Sequence, residues 1–130
     1  MRARLVDLAT DYLVFANWWS DWQFPIIPPD HLPETGIIVE DDDFKSCAGW
    51  LYKMDAKICM VEWIISNIAA PKKARGAALH ILIESLLTAA KENGFKTVFS
   101  SIKTPKLIQR FEQCGFVAGE KDMTNMIRRL

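Results

Sequence analysis

At 130 residues, half of them hydrophobic, the chain has the length of one domain, residues 1–130, and enough apolar side chains for one well-buried core. Its 16 basic and 16 acidic residues cancel, so no global field favours nucleic acid or an anionic membrane surface, and any basic site must be local. No long apolar run follows Arg2 and Arg4 and no segment reaches transmembrane length, so neither a signal peptide nor a membrane span is expected.

Cys47, Cys59 and Cys114 are an odd number lying in or beside apolar runs, which predicts reduced, buried thiols in a cytoplasmic protein and no disulfide framework. Neither His31 nor His80 has a cysteine at ligand spacing, so no metal site is expected.

Arg2 to Val6 reads as a short strand, and Asp7 or Thr10 can cap a helix through Tyr12, Leu13, Phe15, Ala16 and Trp19. Trp22, Phe24, Ile26 and Ile27 then lie among Pro25, Pro28, Pro29 and Pro33, too broken for regular structure and too apolar for a free loop. This segment packs either over the core or over a ligand. Gly36 to Glu40 and Ser46 to Met54 read as antiparallel strands about a charged turn, Asp41 to Lys45. The acidic run Glu40 to Asp43 is either a solvated hairpin tip or a recruiter of a cationic substrate.

After a tight turn at Asp55-Ala56, Lys57 to Ile68 is the most strand-like run in the chain. Strict alternation puts Ile58, Met60, Glu62 and Ile64 on one face and Cys59, Val61, Trp63 and Ile65 on the other. Glu62 is the anomaly, because a carboxylate among apolar residues is costly to desolvate unless it is paired with a lysine or arginine or faces a cleft. In a cleft its pKa rises toward a value useful to a general base.

The stretch from Ala69 to Gly94 carries the strongest helical pattern. Leu79, Leu82, Ile83, Leu86, Leu87 and Ala90 form one apolar stripe, opposite His80, Glu84, Thr88 and Lys91, with Asn93-Gly94 as the stop. Lys72, Lys73, Arg75 and Gly76 make a basic turn at its start, where the helix dipole disfavours cations. Helix N-terminal amides, a glycine and flanking cations together suit a phosphate. Thr97 to Ile102 is a further strand, so strand, helix and strand form a parallel crossover. Thr104 and Pro105 then open a helix bearing Leu107, Ile108 and Phe111 that Gly115 ends, and Phe116 to Ala118 and Met123 to Arg129 read as two short closing strands.

At Lys73-Ala74-Arg75-Gly76-Ala77-Ala78 the chain resembles the GNAT superfamily of N-acetyltransferases, whose Arg/Gln-x-x-Gly-x-Gly/Ala turn follows a strand and opens a helix on the pyrophosphate of acetyl-CoA. Phe111-Glu112-Gln113-Cys114-Gly115-Phe116 is similar to the family's Tyr-Glu-x-x-Gly-Phe ending of a second helix, and Thr104 stands where that helix often begins with Asn. The resemblance implies an α+β (α/β) domain with a mixed sheet of about six to seven strands and about three to four flanking helices.

It also implies acetyl-CoA held by Ile68, Ala69, Lys73, Arg75, Gly76, Ala77, Ala78, Leu79 and Thr104, with a backbone N–H around Asn67 to Ala69 polarising the thioester. Glu62 falls where histone-modifying members carry a general base, and Trp18, Trp19, Trp22 and Phe24 fall where the family often places its acceptor-binding segment. Lys73 departs from Arg or Gln, and Phe111 stands where the family's general acid is a tyrosine. Ser100, Ser101, Tyr12, Tyr52 or solvent are left to supply that proton. Two readings follow: an acetyl-CoA-dependent N-acetyltransferase acting on a small-molecule or protein amine, without nucleic-acid or membrane partners and compatible with a homodimer, or a GNAT-fold binding or structural module without turnover.

Overall fold

The computed structural model describes residues 1–130. Strand β1 (Arg2–Leu5) leads into helix α1 (Leu8–Asp21), whose first turn is capped by Asp7, the carboxylate accepting the Ala9 N–H at 3.1 Å. A loop with one 3₁₀ turn at Pro29–His31 precedes β2 (Thr35–Glu40), β3 (Lys45–Tyr52) and β4 (Ile58–Ser66). Helix α2 (Lys72–Glu92) then crosses to β5 (Thr97–Phe99), and α3 (Pro105–Gln113) follows. The strands lie in sequence order, the first four antiparallel, with β5 parallel to β4 through the pairs Ile58↔Thr97, Cys59↔Val98 and Met60↔Phe99. The expected crossover unit is therefore present.

Strand alternation divides the core in two. Ile37, Val39, Cys47, Leu51, Cys59 and Val61 face Leu82, Ile83, Leu86 and Ala90 of α2 and Phe111 of α3. Ile38, Ala48, Trp50 and Ile65 face Phe15, Trp18 and Trp19 of α1 on the other side. Burial pushes the Cys47 thiol up to about 12, so it is an inert core group, whereas Cys114 is only partly buried.

One ion network ties β1 to α1 and β2. The Arg4 guanidinium donates to both Asp11 carboxylate oxygens, at 2.8 and 3.0 Å, and to Glu40 at 2.9 Å. The Asp7 N–H and Lys45 complete the Asp11 shell at 2.9 and 3.6 Å. At the β2–β3 hairpin, Asp41 accepts the amides of Asp43 and Phe44 and Asp42 pairs with Arg2, so part of the acidic run is spent on shaping the tip.

Three sequence expectations change. Alternation in β4 breaks at Trp63, which has a positive φ of 61°. The register of β3 against β4 steps from Ala48↔Ile65 to Trp50↔Glu62, leaving Trp63 and Ile64 opposite Gly49. This bulge moves Ile64 to the α2 side with Cys59 and Val61, and Ile65 to the α1 side with Glu62. A Cβ at Gly49 would stand 2.5 Å from the end of the Ile64 side chain, so a larger residue there would make Ile64 shift. A two-residue period cannot register one extra residue.

The second change is the strand count, five where about six to seven were expected. Residues 116–130 form no ladder, and Val117, Met126, Ile127 and Leu130 are exposed, so the apolar pattern there has no partner strand. Thirdly, the basic turn is already helical. Lys72, Lys73, Ala74, Ala77 and Ala78 are good helix formers and Gly76 alone among them is poor, so with Pro71 as N-cap the helix starts one turn before the glycine.

Candidate active site

β4 and β5 part company after the pair Met60↔Phe99, although β4 runs on to Ser66. Side chains bridge the opening. Ser100 Oγ donates to the Val61 carbonyl at 2.6 Å, and the Ser101 N–H donates to Glu62 at 2.8 Å. Glu62 is half-buried and forms no ion pair with any lysine or arginine, so the paired-acid alternative is not realised. Burial raises its carboxyl above the ordinary carboxylate range, and the Ser101 N–H offsets only part of that rise. Beside it, burial also raises Tyr52, whose hydroxyl donates to the His31 carbonyl at 2.6 Å and accepts from the Trp63 indole.

The end of β4 and the start of α2 expose a set of uncommitted backbone donors. The amides of Asn67 and Ala69 are engaged, the first by the Ser46 carbonyl at 2.8 Å and the second by the Asn67 side chain at 2.9 Å. Between them the Ile68 N–H meets no acceptor in the protein. At α2 the Arg75 N–H donates to the Pro71 carbonyl, no side chain caps the terminus, and the amides of Lys72, Lys73 and Ala74 are likewise free. Those of Gly76, Ala77, Ala78 and Leu79 fall in the second turn, inside the helical ladder. The free donors thus lie one turn ahead of the residues that the motif singles out.

Arg110 of α3 lies on Gly76, where a Cβ would come 2.6 Å from its guanidinium, and Cys114 lies on His80. Each contact is four residues beyond the last on both helices, so α2 and α3 run in the same direction and their N-termini share one end. Lys72, Lys73 and Arg75 of α2, Lys106 and Arg110 of α3, and Lys103 before it form no ion pair. Thr104 occupies the N-cap of α3, but its hydroxyl caps nothing. Arg110 was not among the expected residues; only the pairing of the two helices brings it to the turn.

The aromatic segment divides. Trp18 and Trp19 are core residues, packed with Phe15 and Trp50. Trp22 and Phe24 stack at 6.3 Å by the mouth of the opening, where the Trp22 indole donates to the Ser66 carbonyl at 2.7 Å and carries the Arg75 guanidinium 5.8 Å above its ring. Phe111 is buried edge-on against Phe116 with ring centres 4.8 Å apart. The hydroxyls of Tyr12, Tyr52 and Ser100 all donate to carbonyls, which leaves the Ser101 hydroxyl as the uncommitted one of the four.

The fold is that of the GNAT acetyltransferases. Over its whole length the chain is similar to TTHA1254 of Thermus thermophilus, covering 98% of that chain at 16% identity and a TM-score of 0.71. It is similar to Rv2747 of Mycobacterium tuberculosis in complex with CoA, at 15% identity and a TM-score of 0.72, over 95% of this chain and 76% of that one. Glucosamine-6-phosphate N-acetyltransferase of Arabidopsis thaliana superposes at 13% identity and a TM-score of 0.70, over 98% of both chains. No sequence profile of a known family matches the chain, and neither does any curated protein. No helix is long and apolar enough to cross a membrane.

Proposed function

We propose that the protein is an acetyl-CoA-dependent N-acetyltransferase whose acceptor is a primary amine of a small molecule or a protein. The observation that carries this reading is the opening between β4 and β5, with an unpaired carboxylate, Glu62, inside it and unpaired cations with free amides at its end. The pyrophosphate of CoA sits on the amides of Lys72, Lys73 and Ala74, held by Lys73, Arg75 and Arg110. The thioester lies along the end of β4, where the Ile68 N–H is the donor available to the carbonyl oxygen as the tetrahedral intermediate forms.

Glu62, directly or through one water, takes a proton from the acceptor ammonium so that the neutral amine attacks the thioester, and collapse of the tetrahedral intermediate expels the CoA thiolate, which is protonated by solvent, directly or relayed through the Ser101 hydroxyl. Trp22, Phe24 and the Trp63 and Tyr52 side chains flank the amine.

A second reading, a GNAT-fold module without turnover, draws on Phe111, whose ring offers no proton. Two measurements separate the readings. Acetyl-CoA, but not dephosphorylated pantetheine, raises the melting temperature of an enzyme or a cofactor-binding module and leaves a bare structural scaffold unmoved. Release of free CoA, screened against polyamines, aminoglycosides, amino acids and lysine peptides, occurs only with an enzyme. A chain that acetyl-CoA does not stabilise overturns the enzyme and the cofactor-binding module and leaves only the structural scaffold.

A further inference from the structure

Outside the opening, one cluster of side chains has no part in the chemistry above. His80 and Glu84 are four residues apart on the exposed face of α2, and Cys114, which ends α3, is brought against them from 34 positions along the chain, its Sγ 3.6 Å from the His80 Nδ1. One ligand atom from each of the three falls within 4.8 Å of the others. Sequence spacing argued against any cysteine partner for histidine, and only the parallel course of α2 and α3 supplies one.

We propose that His80, Glu84 and Cys114 form a three-ligand site for a zinc ion that clasps the C-terminal end of α3 to α2. Zinc bonds to thiolate sulfur at about 2.3 Å and to imidazole nitrogen at about 2.0–2.1 Å, so two such ligands at a tetrahedral angle stand about 3.6 Å apart. The observed sulfur to nitrogen separation is the same. The side-chain set is one nitrogen, one sulfur and one oxygen, which suits zinc's borderline character. Calcium or magnesium would need several oxygens where this site has one carboxylate.

Two ligands project from one rigid helix at a fixed spacing. The third is anchored because Phe111, three residues before Cys114, is held in the core. His80 and Glu84 are exposed, so the fourth position opens to solvent and a water completes the tetrahedron. Without a metal the thiol stays protonated, pushed up to about 11 by burial and the neighbouring Glu84 carboxylate, so the pair is not a thiolate nucleophile with its base.

The test uses the reduced, metal-free full chain titrated with Co(II), which reports a bound thiolate by a sulfur-to-metal charge-transfer band. One equivalent should saturate the band and one equivalent of Zn(II) should erase it. Cys114→Ser should abolish it, while His80→Ala and Glu84→Gln should each weaken Co(II) binding about tenfold or more, since ligand loss costs at least what loss of a supporting contact does. Zn(II) should raise the melting temperature of the wild type, less that of His80→Ala and Glu84→Gln, and not that of Cys114→Ser. His80 and Glu84 are exposed, so their variants should melt like the wild type without metal, and they keep the test valid even if Cys114→Ser unfolds. No band in the wild type, a band unchanged in Cys114→Ser, or equal affinity in both His80→Ala and Glu84→Gln overturns the site.

Discussion

Asp11 and Glu62 are both carboxylates withdrawn from water, and their surroundings are opposite. Around Asp11 every charge is answered, with Arg4 forked across both oxygens, Lys45 behind it, Glu40 on the far side of Arg4 and a backbone amide completing the set. The first and largest consequence, the Arg4 hydrogen bonds, holds the Asp11 carboxyl below the ordinary range despite burial. Around Glu62 no cation is in reach, and burial pushes its carboxyl up. The free cations, Lys72, Lys73 and Arg75 in the first turn of α2 and Arg110 of α3 lying against Gly76, gather at the start of α2 with no ion-pair partner. A closed set of charges holds parts of the protein to each other, and an open set of both signs, kept apart, holds room for something else. The first region is a fastening, and the second is where we propose the ligands bind.

The comparison breaks most visibly at Glu62→Gln. Removing a positioned base lowers rate by about 10² to 10⁴, about 3–5 kcal/mol of barrier, while CoA affinity is kept. The wild-type rate should rise with pH through a value above 4.5, the ordinary value for this carboxyl, and the variant should lose that limb. Glu62 should not stabilise the fold. A raised carboxyl holds a proton that the unfolded chain gives up, so stability falls as pH rises from the unfolded value through the folded one, and Glu62→Gln should be neutral to slightly stabilising at pH 7. Equal turnover by variant and wild type at every pH would return Glu62 to a merely buried acid.

Asp11→Ala should do the reverse, leaving the opening intact and costing about 3 kcal/mol of stability, the low end for breaking a buried pair because Arg4 keeps Glu40 and is a third exposed. Here the folded value is lowered, so the contribution is complete above about pH 4 and is lost as pH falls through the folded value. Urea unfolding at pH 7 and pH 3 should show the gap between wild type and variant shrinking in acid. A gap that persists there would mean packing, not charge, is lost.

How far this contrast was legible in the sequence follows from the range of each interaction. Glu62 stood out because its anomaly is local, one acid in an apolar run. The strand, helix and strand unit was legible for the same reason, since periodicity is a property of neighbours in the chain. The bulge at Trp63 was not, because it is a matter of register between β4 and the partner strand at Gly49, which no pattern along β4 records. Trp18 and Trp19 fall where the resembled family often places its acceptor-binding segment, yet helix α1 turns them into the core and leaves Trp22 and Phe24 outside it. Arg110 and the His80–Cys114 contact depend on two helices lying side by side, which no spacing along one of them records.

The open cations give the next largest effects. Lys73→Ala and Arg75→Ala should each weaken CoA by about 1.5–3 kcal/mol, the worth of one charge-assisted hydrogen bond to a phosphate. Neither residue has a partner carboxylate to strand, so melting temperatures without ligand should hardly move. Calorimetry decides this directly, and unchanged dissociation constants in both variants, with wild type binding measurably, would put the phosphates elsewhere.

The smallest effect is the most informative about how the two halves of the open region communicate. Trp22 reaches from the segment after α1 to the end of β4 through its indole N–H, and its ring carries Arg75, so one side chain touches both the proposed acceptor side and the proposed phosphate side. A cation over a partly buried ring near the surface is worth about 0.5–1 kcal/mol, so Trp22→Ala should weaken CoA only two- to fivefold by freeing Arg75 from its perch. That loss should vanish in an Arg75→Ala background, because the ring then has nothing to position. Trp22→Phe should keep most of the affinity, as the face that holds the guanidinium survives while the bond to Ser66 does not. If Trp22→Ala costs the same with and without Arg75, the ring acts on the cofactor by another route, and the stacking seen here is packing and nothing more.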